Sequence, residues 1–145
     1  MNTLPQILLG FDFGMKRIGV AVGQMVTKSA RPLTVVKAAQ GVPTWDIIAK
    51  LIQTWQPDAL VVGIPLNMDG TDQPLTQSAK AFADALHERF ALPVYGMDER
   101  LTSVEARARL FSEGGYKALQ NTPIDSLAAQ LILQNWLAQS GNHET

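Results

Sequence analysis

Asp12 closes an apolar run, Ile7-Leu8-Leu9-Gly10-Phe11, and stands before a glycine-containing turn, Phe13-Gly14-Met15, that leads into a second apolar stretch. A strand fixes a carboxylate at its end while the turn leaves room for a substrate, so an acid placed this way can hold divalent metal or face phosphate. Asp and Gly are also ordinary hairpin residues. Two further acidic positions bear on the choice. Asp98-Glu99 closes the run Pro93-Val94-Tyr95-Gly96-Met97, and Asp125 opens the last helical pattern. On extended backbone Asp98 and Glu99 point to opposite sides, so only one of them readily faces Asp12. Positions 125, 128, 129, 132 and 136 read Asp, Ala, Ala, Ile, Trp at helical spacing, which puts the Asp125 carboxylate in line with an apolar stripe. A carboxylate there wants a metal or a cationic partner. With Thr122 as helix cap, Asp125 is equally the third helical residue, where a carboxylate complements the helix dipole.

Carboxylates converging on one point repel unless cations sit between them. Oxygen-only ligands suit Mg²⁺ or Mn²⁺, and Mg²⁺ commonly combines one or two carboxylates with substrate phosphate oxygens. Two such ions about 4 Å apart stabilise the attacking and leaving oxygens of phosphodiester hydrolysis, and no side-chain nucleophile is needed. Other chemistries find less support. There is no cysteine, so disulfides, thiolate metal sites and a Cys nucleophile are excluded. His87 lies on a polar helix face among Asp84, Glu88 and Arg89, His143 lies in the tail, and no G-x-S-x-G elbow occurs. Trp45, Trp55 and Trp136 fall in helical apolar stripes and read as core.

The elements that must position these acids follow from periodicity. Residues 6–13 read as a buried strand. Residues 17–24 alternate Ile18, Val20 and Val22 with Gly19, Ala21 and Gly23, a period of two. Residues 30–38 read as a third strand, with Pro32 suggesting an edge or a strand start. Connections this short require antiparallel pairing. Thr44 then caps a helix with apolar positions Trp45, Ile48, Leu51, Ile52 and Trp55, ended by Pro57-Asp58. Residues 59–64 form a wholly apolar central strand. A loop through Asn67 leads to a helix bearing Leu75, Ala79, Phe82, Ala83, Leu86 and Phe90. Residues 93–97 form a last strand, a capping box at Thr102-Ser103-Val104-Glu105 opens a third helix that ends near Gly114-Gly115, and a fourth helix runs from Thr122-Pro123 through Trp136. Strand–helix–strand alternation implies right-handed crossovers. The expected fold is α/β: one mixed five-stranded sheet, three strands antiparallel and then two parallel, with helices on both faces and ligands collecting at the carboxyl ends of the parallel strands.

The 145 residues predict a single domain over 1–145. A net charge of −1 argues against a generic polybasic nucleic-acid binder. The distribution is less even: residues 1–40 carry Lys16, Arg17, Lys28, Arg31 and Lys37 against the lone acid Asp12. No apolar run approaches the roughly 20 residues of a membrane span, and the N-terminus lacks a basic leader, so a soluble cytoplasmic protein with no membrane partner is expected.

Four motifs in order carry a resemblance: Asp12-Phe13-Gly14 with Arg17-Ile18-Gly19-Val20-Ala21; Val62-Gly63-Ile64-Pro65 with Asp69-Gly70; Asp98-Glu99-Arg100-Leu101-Thr102-Ser103 with Glu105-Ala106; and Asp125 with Ala128-Ala129 and Ile132-Leu133. From about residue 6 to residue 138 the chain resembles the pre-16S rRNA nuclease family, also called Holliday junction resolvase-like, of the ribonuclease H-like superfamily. The resemblance implies a ribonuclease H-like fold and a divalent-metal nuclease that processes the 5′ end of the 16S rRNA precursor in ribosome biogenesis. It implies Asp12, Glu99 and Asp125 as catalytic and metal-binding acids, holding two Mg²⁺ or Mn²⁺ ions together with substrate, and it is the ground for Glu99 over Asp98. Lys16, Arg17, Asn67 and Arg100 are then candidates for nucleic-acid contact. Their structural counterparts are surface solvation for Lys16 and Arg17, a turn role for Asn67, and pairing with Asp98 for Arg100. Implied partners are precursor rRNA or other structured RNA and ribosomal particles. Alternatives are a resolvase of branched DNA, a noncatalytic RNA-binding assembly factor, and a nucleotide-binding phosphotransferase, which would normally pair two such domains.

Overall fold

The computed structural model describes residues 6–98 and 124–140. The expected meander is present: β1 (Ile7–Asp12), β2 (Arg17–Gln24) and β3 (Ser29–Ala39) are antiparallel neighbours. A two-residue strand, β4 (Val42–Pro43), folds back on Ala38 and Ala39. Helix α1 (Trp45–Trp55), strand β5 (Ala59–Ile64), helix α2 (Pro74–Phe90), strand β6 (Val94–Asp98) and helix α3 (Ile124–Ser140) follow. The sheet order is β4-β3-β2-β1-β5-β6, with β5 parallel to β1 and β6 parallel to β5. The sheet therefore has six strands and not the expected five. Gln40 (φ 52°) and Gly41 (φ 83°) make the turn that sends the chain back along β3, and a two-residue strand has no period for a sequence reading to detect. Pro32 sits where the β2–β3 register slips between Val20 and Ala21, a bulge that spares it a ladder hydrogen bond.

Alternation along each strand sorts the core into two layers. Leu9, Phe11, Ile18, Val20, Val22, Val36, Leu60 and Val62 face α1 and α2, where they pack with Ile48, Ala79, Phe82 and Leu86. Leu8, Ala21, Ala59, Val61 and Met97 face α3 through Ala129, Ile132, Leu133 and Leu137. The tryptophans join these layers as expected of core: Trp45 stacks on Phe82 with centroids 5.9 Å apart, Trp55 packs at the rim of the first layer, and Trp136 stacks on Tyr95 at 5.1 Å. His87 is exposed, and its Nδ1 lies 2.9 Å from the Leu92 carbonyl oxygen at the end of α2. Among the described residues no helix is long and apolar enough to cross a membrane. The third helix expected over 102–115 and the Thr122 cap lie outside the described residues.

Candidate active site

The β1–β2 connection is built for a close turn. A side chain at Gly14 would put its Cβ 2.4 Å from the Arg17 carbonyl oxygen, so only glycine lets the chain reverse this tightly behind Asp12. The turn is clamped from the β3–β4 side, where the Ala38 amide donates to the Lys16 carbonyl at 2.8 Å and the Gly41 amide to the Met15 carbonyl at 2.9 Å. Asp12, half-buried at the end of β1, is thus held by paired backbone on one side and an anchored turn on the other.

Asp12 and Gly19 are directly opposed in the β1–β2 ladder. Opposed residues of an antiparallel pair carry their side chains on the same face, with Cβ atoms about 5 Å apart. Gly19 has no side chain because α3 fills that space: a Cβ there would lie 1.9 Å from the Asp125 carbonyl oxygen and 2.9 Å from the Ser126 amide nitrogen. The first turn of α3 is therefore seated on the strand pair beside Asp12, and residues 12 and 125, more than a hundred positions apart in sequence, meet at one end of the sheet on one face. Register and close approach make this juxtaposition together.

The stripe on α3 is rotated from its sequence-based position. Of the expected stripe Ala129 and Ile132 are buried against the sheet, together with Ser126, Leu133 and Leu137, while Asp125, Ala128 and Trp136 are only partly covered. Asp125 thus stands at the flank of the packed face, with 29% of its side chain exposed, and not on the centreline expected from the apolar spacing. Nearly every position from 127 to 133 is apolar, so composition alone could not select the buried line; the glycine side of β2 does. The shift leaves the carboxylate accessible without removing it from the sheet. Its partner is Arg17, whose Nε–H donates to Asp125 Oδ2 at 3.2 Å. This is a cationic partner of the kind expected for Asp125, although Arg17 itself is assigned from sequence to nucleic acid or solvent and no local signal pairs the two. Lys16, next to it in the turn, is exposed.

Asp98 goes the other way. It is in register with Ile64, which packs on the α1–α2 layer, whereas Met97 belongs to the α3 layer and Tyr95 stacks on α3. Asp98 is accordingly on the face opposite to Asp12 and Asp125. Glu99 and Arg100 lie outside the described residues. Among the described residues no group of three His, Asp or Glu is arranged to hold a metal; the β1–β2 register and the close approach of α3 put two of the expected acids, Asp12 and Asp125, on one face at one end of the sheet. Asn67 serves its own loop: its side-chain amide donates to Thr71 Oγ1 at 3.0 Å and to the Asp72 carbonyl at 3.2 Å, and Asp69 accepts from the Thr71 amide. These are the bonds of a turn-forming asparagine.

The family described as "RuvX: Holliday junction resolvase" matches residues 6–139. A Cronobacter sakazakii protein named "Putative pre-16S rRNA nuclease" is 56% identical over 134 residues, 92% of this chain and 97% of that protein. A Haemophilus ducreyi protein of the same name is 57% identical over 129 residues, covering 89% and 94%. Among solved structures, Thermus thermophilus RuvC in complex with a Holliday junction substrate aligns with a TM-score of 0.57 at 18% identity, over 94% of this chain and 96% of that one. The fowlpox virus Holliday junction resolvase aligns at 0.58 with 12% identity, over 92% and 99%. At these identities the structural likeness shows the fold, which is ribonuclease H-like. With a family match over almost the whole length and relatives more than half identical across it, the chain belongs to the RuvX family, the Holliday junction resolvase family in that description.

Proposed function

We propose that this protein is a divalent-metal nuclease acting on the 5′ end of precursor 16S rRNA, with Asp12 and Asp125 holding the metal. It is a hydrolase of phosphodiester bonds, as membership of the family carries. The observation behind the assignment of residues is the seating of Asp125 on Gly19, the ladder partner of Asp12. The donor set fits: two carboxylates on one rigid edge offer oxygen ligands only, which suits Mg²⁺ or Mn²⁺ and leaves positions for substrate oxygens. Of the pair 98–99, Asp98 is on the far face, so Glu99 is the acid proposed to complete the set. When bound, the dication supplies charge neutralisation at the scissile phosphate and acidity to water.

The chain's own groups do the rest. Asp12 and Asp125 present fixed negative charge where a dication has to sit, at no cost in reorganisation. The exposed Lys16 and Arg17 lie in the same turn and are proposed to meet the nucleic-acid backbone, positioning it without reading sequence. RNA is favoured over branched DNA because the relatives at 56% and 57% identity carry the rRNA nuclease name. The reading places the protein in the cytoplasm with ribosomal precursor particles.

A side-by-side assay of the full chain tests it. Precursor RNA spanning the 5′ end of 16S rRNA and a four-way DNA junction are incubated with Mg²⁺, Mn²⁺ or chelator, for wild type and Asp125→Asn. Cleavage of the RNA that needs metal and falls at least about 100-fold in the variant is expected. Faster cutting of the junction would move the substrate assignment to DNA. Cutting unaffected by chelator would overturn the mechanism.

A further inference from the structure

Arg17 occupies the carboxylate that the nuclease needs. It is the first residue of β2, two positions from Gly19 and on the same face, and its guanidinium reaches Asp125 across 108 residues of sequence. Two features make this contact exchangeable. The Arg17 side chain is 67% exposed, and the bond is made at one carboxylate oxygen through Nε, not as a two-pronged fork. Pairs of this kind contribute little net stability, because solvent screens them and two side chains must be ordered to form them. A phosphate, in contrast, takes a guanidinium through two parallel hydrogen bonds. A guanidinium and a dication on one carboxylate repel each other.

We propose that Arg17 is a substrate-released counter-ion: it holds Asp125 while the protein is free, and a nucleic-acid phosphate draws it off, so that metal and nucleic acid bind cooperatively. The inference rests on the assignment of Asp125 as a metal ligand made above. Arg17 is in this account a positioning residue, acting on the metal through Asp125 and on the substrate through its backbone. Its effect is an equilibrium coupling. Whatever factor RNA adds to metal affinity by removing Arg17, metal adds to RNA affinity. The same device keeps two like-charged acids, Asp12 and Asp125, tolerable at one end of the sheet before metal arrives.

The test is Mn²⁺ titration of the full chain by calorimetry, with and without a 2′-O-methyl RNA hairpin that resists cleavage. Arg17→Gln is compared with wild type, with Arg17→Lys, with Asp125→Asn, and with Lys37→Gln. Lys37 is exposed and is the ladder partner of Arg17, so its substitution removes the same charge from the same neighbourhood. Without RNA, Arg17→Gln is expected to bind Mn²⁺ roughly 3- to 5-fold more tightly than wild type, the range an exposed ion pair allows. Arg17→Lys should move the same way by less, and Lys37→Gln by under about 2-fold. The tightening that RNA produces in wild type should shrink in Arg17→Gln by the factor already gained. Unchanged or weaker Mn²⁺ binding in Arg17→Gln overturns the proposal, as does an equal gain in Lys37→Gln, which would mark a general field effect. Asp125→Asn separates the two layers of argument: if it loses Mn²⁺ while Arg17→Gln changes nothing, only the counter-ion role fails, and if it binds Mn²⁺ like wild type, the metal assignment fails and the counter-ion role with it.

Discussion

Asp12→Asn is expected to lower metal-dependent RNA cleavage by at least about 10³-fold, roughly 4 kcal/mol of transition-state stabilisation, with the melting temperature within about 3 °C of wild type. The two halves of that expectation have separate physical origins. Asparagine keeps the size of the side chain at the end of β1, and the strand is fixed by its pairing to β2 and β5 and by the packing of Leu8, Leu9 and Phe11, none of which depends on the charge. The metal does depend on it, because a neutral amide is a much weaker ligand for a hard dication than a carboxylate. Binding of uncleaved RNA should survive, weakened by no more than the few-fold coupling to metal, since Lys16 and Arg17 remain in place for phosphate contact. A noncatalytic assembly factor predicts the same retained binding and no metal-dependent cleavage in the wild type either, so the wild-type arm of the assay distinguishes the two.

Among the described glycines, Gly19→Ala should be the most damaging substitution by a single methyl group. The new Cβ would meet the carbonyl oxygen and carbon of Asp125 at 1.9 and 2.3 Å, and both atoms are backbone, so no rotamer change relieves the clash. Helix α3 has to retreat by roughly 1 Å before that contact reaches even 3.0 Å. In retreating it loosens Ala129, Leu133 and Leu137, which are fully buried. A loss of about 3 kcal/mol is expected, or about 6 to 12 °C in melting temperature for a chain of this size. The same movement takes Asp125 away from Asp12, and a displacement of about 1 Å in a reacting constellation costs on the order of 100-fold in rate. Gly23→Ala is the comparison: its Cβ would meet Leu133 Cδ2 at 2.9 Å and Leu137 Cδ1 at 3.1 Å, both ends of flexible side chains, with the Ser29 carbonyl at 3.1 Å. Thermal unfolding of the two variants should separate them clearly, and equal stability would mean that α3 is not seated on Gly19 as described.

These two residues also show how far the sequence could be read. The alternation of Ile18, Val20 and Val22 with Gly19, Ala21 and Gly23 located β2 to the residue, because a period of two over eight positions is hard to mistake. What the small side of that alternation was for could not be seen, since a helix approaching to backbone contact comes from elsewhere in the chain. The face of α3 is legible only in part, at Ala129 and Ile132, for the related reason that its sequence is apolar on too many sides to name one buried line. The Arg17–Asp125 bond was invisible, as any exposed pair between distant segments must be. Asp98 and Glu99 were separable in principle: adjacent residues on a strand face opposite ways, and the register of β6 assigns Asp98 to the α1–α2 side. The preference for Glu99 rests on family resemblance alone, and Glu99 lies outside the described residues. Asn67 was balanced between turn and substrate, and its amide is engaged by Thr71 and Asp72. Strand β4 was lost because two residues carry no pattern.

The central claim is that carboxylates from the end of β1 and the start of α3 share a dication. Anomalous diffraction from crystals of the full chain soaked in Mn²⁺ with uncleaved RNA measures it directly. The account predicts a manganese peak within about 2.3 Å of a carboxylate oxygen of both Asp12 and Asp125, absent from crystals of Asp125→Asn. Manganese bound elsewhere with Asp12 and Asp125 uninvolved, or an undiminished peak in the variant, would contradict it.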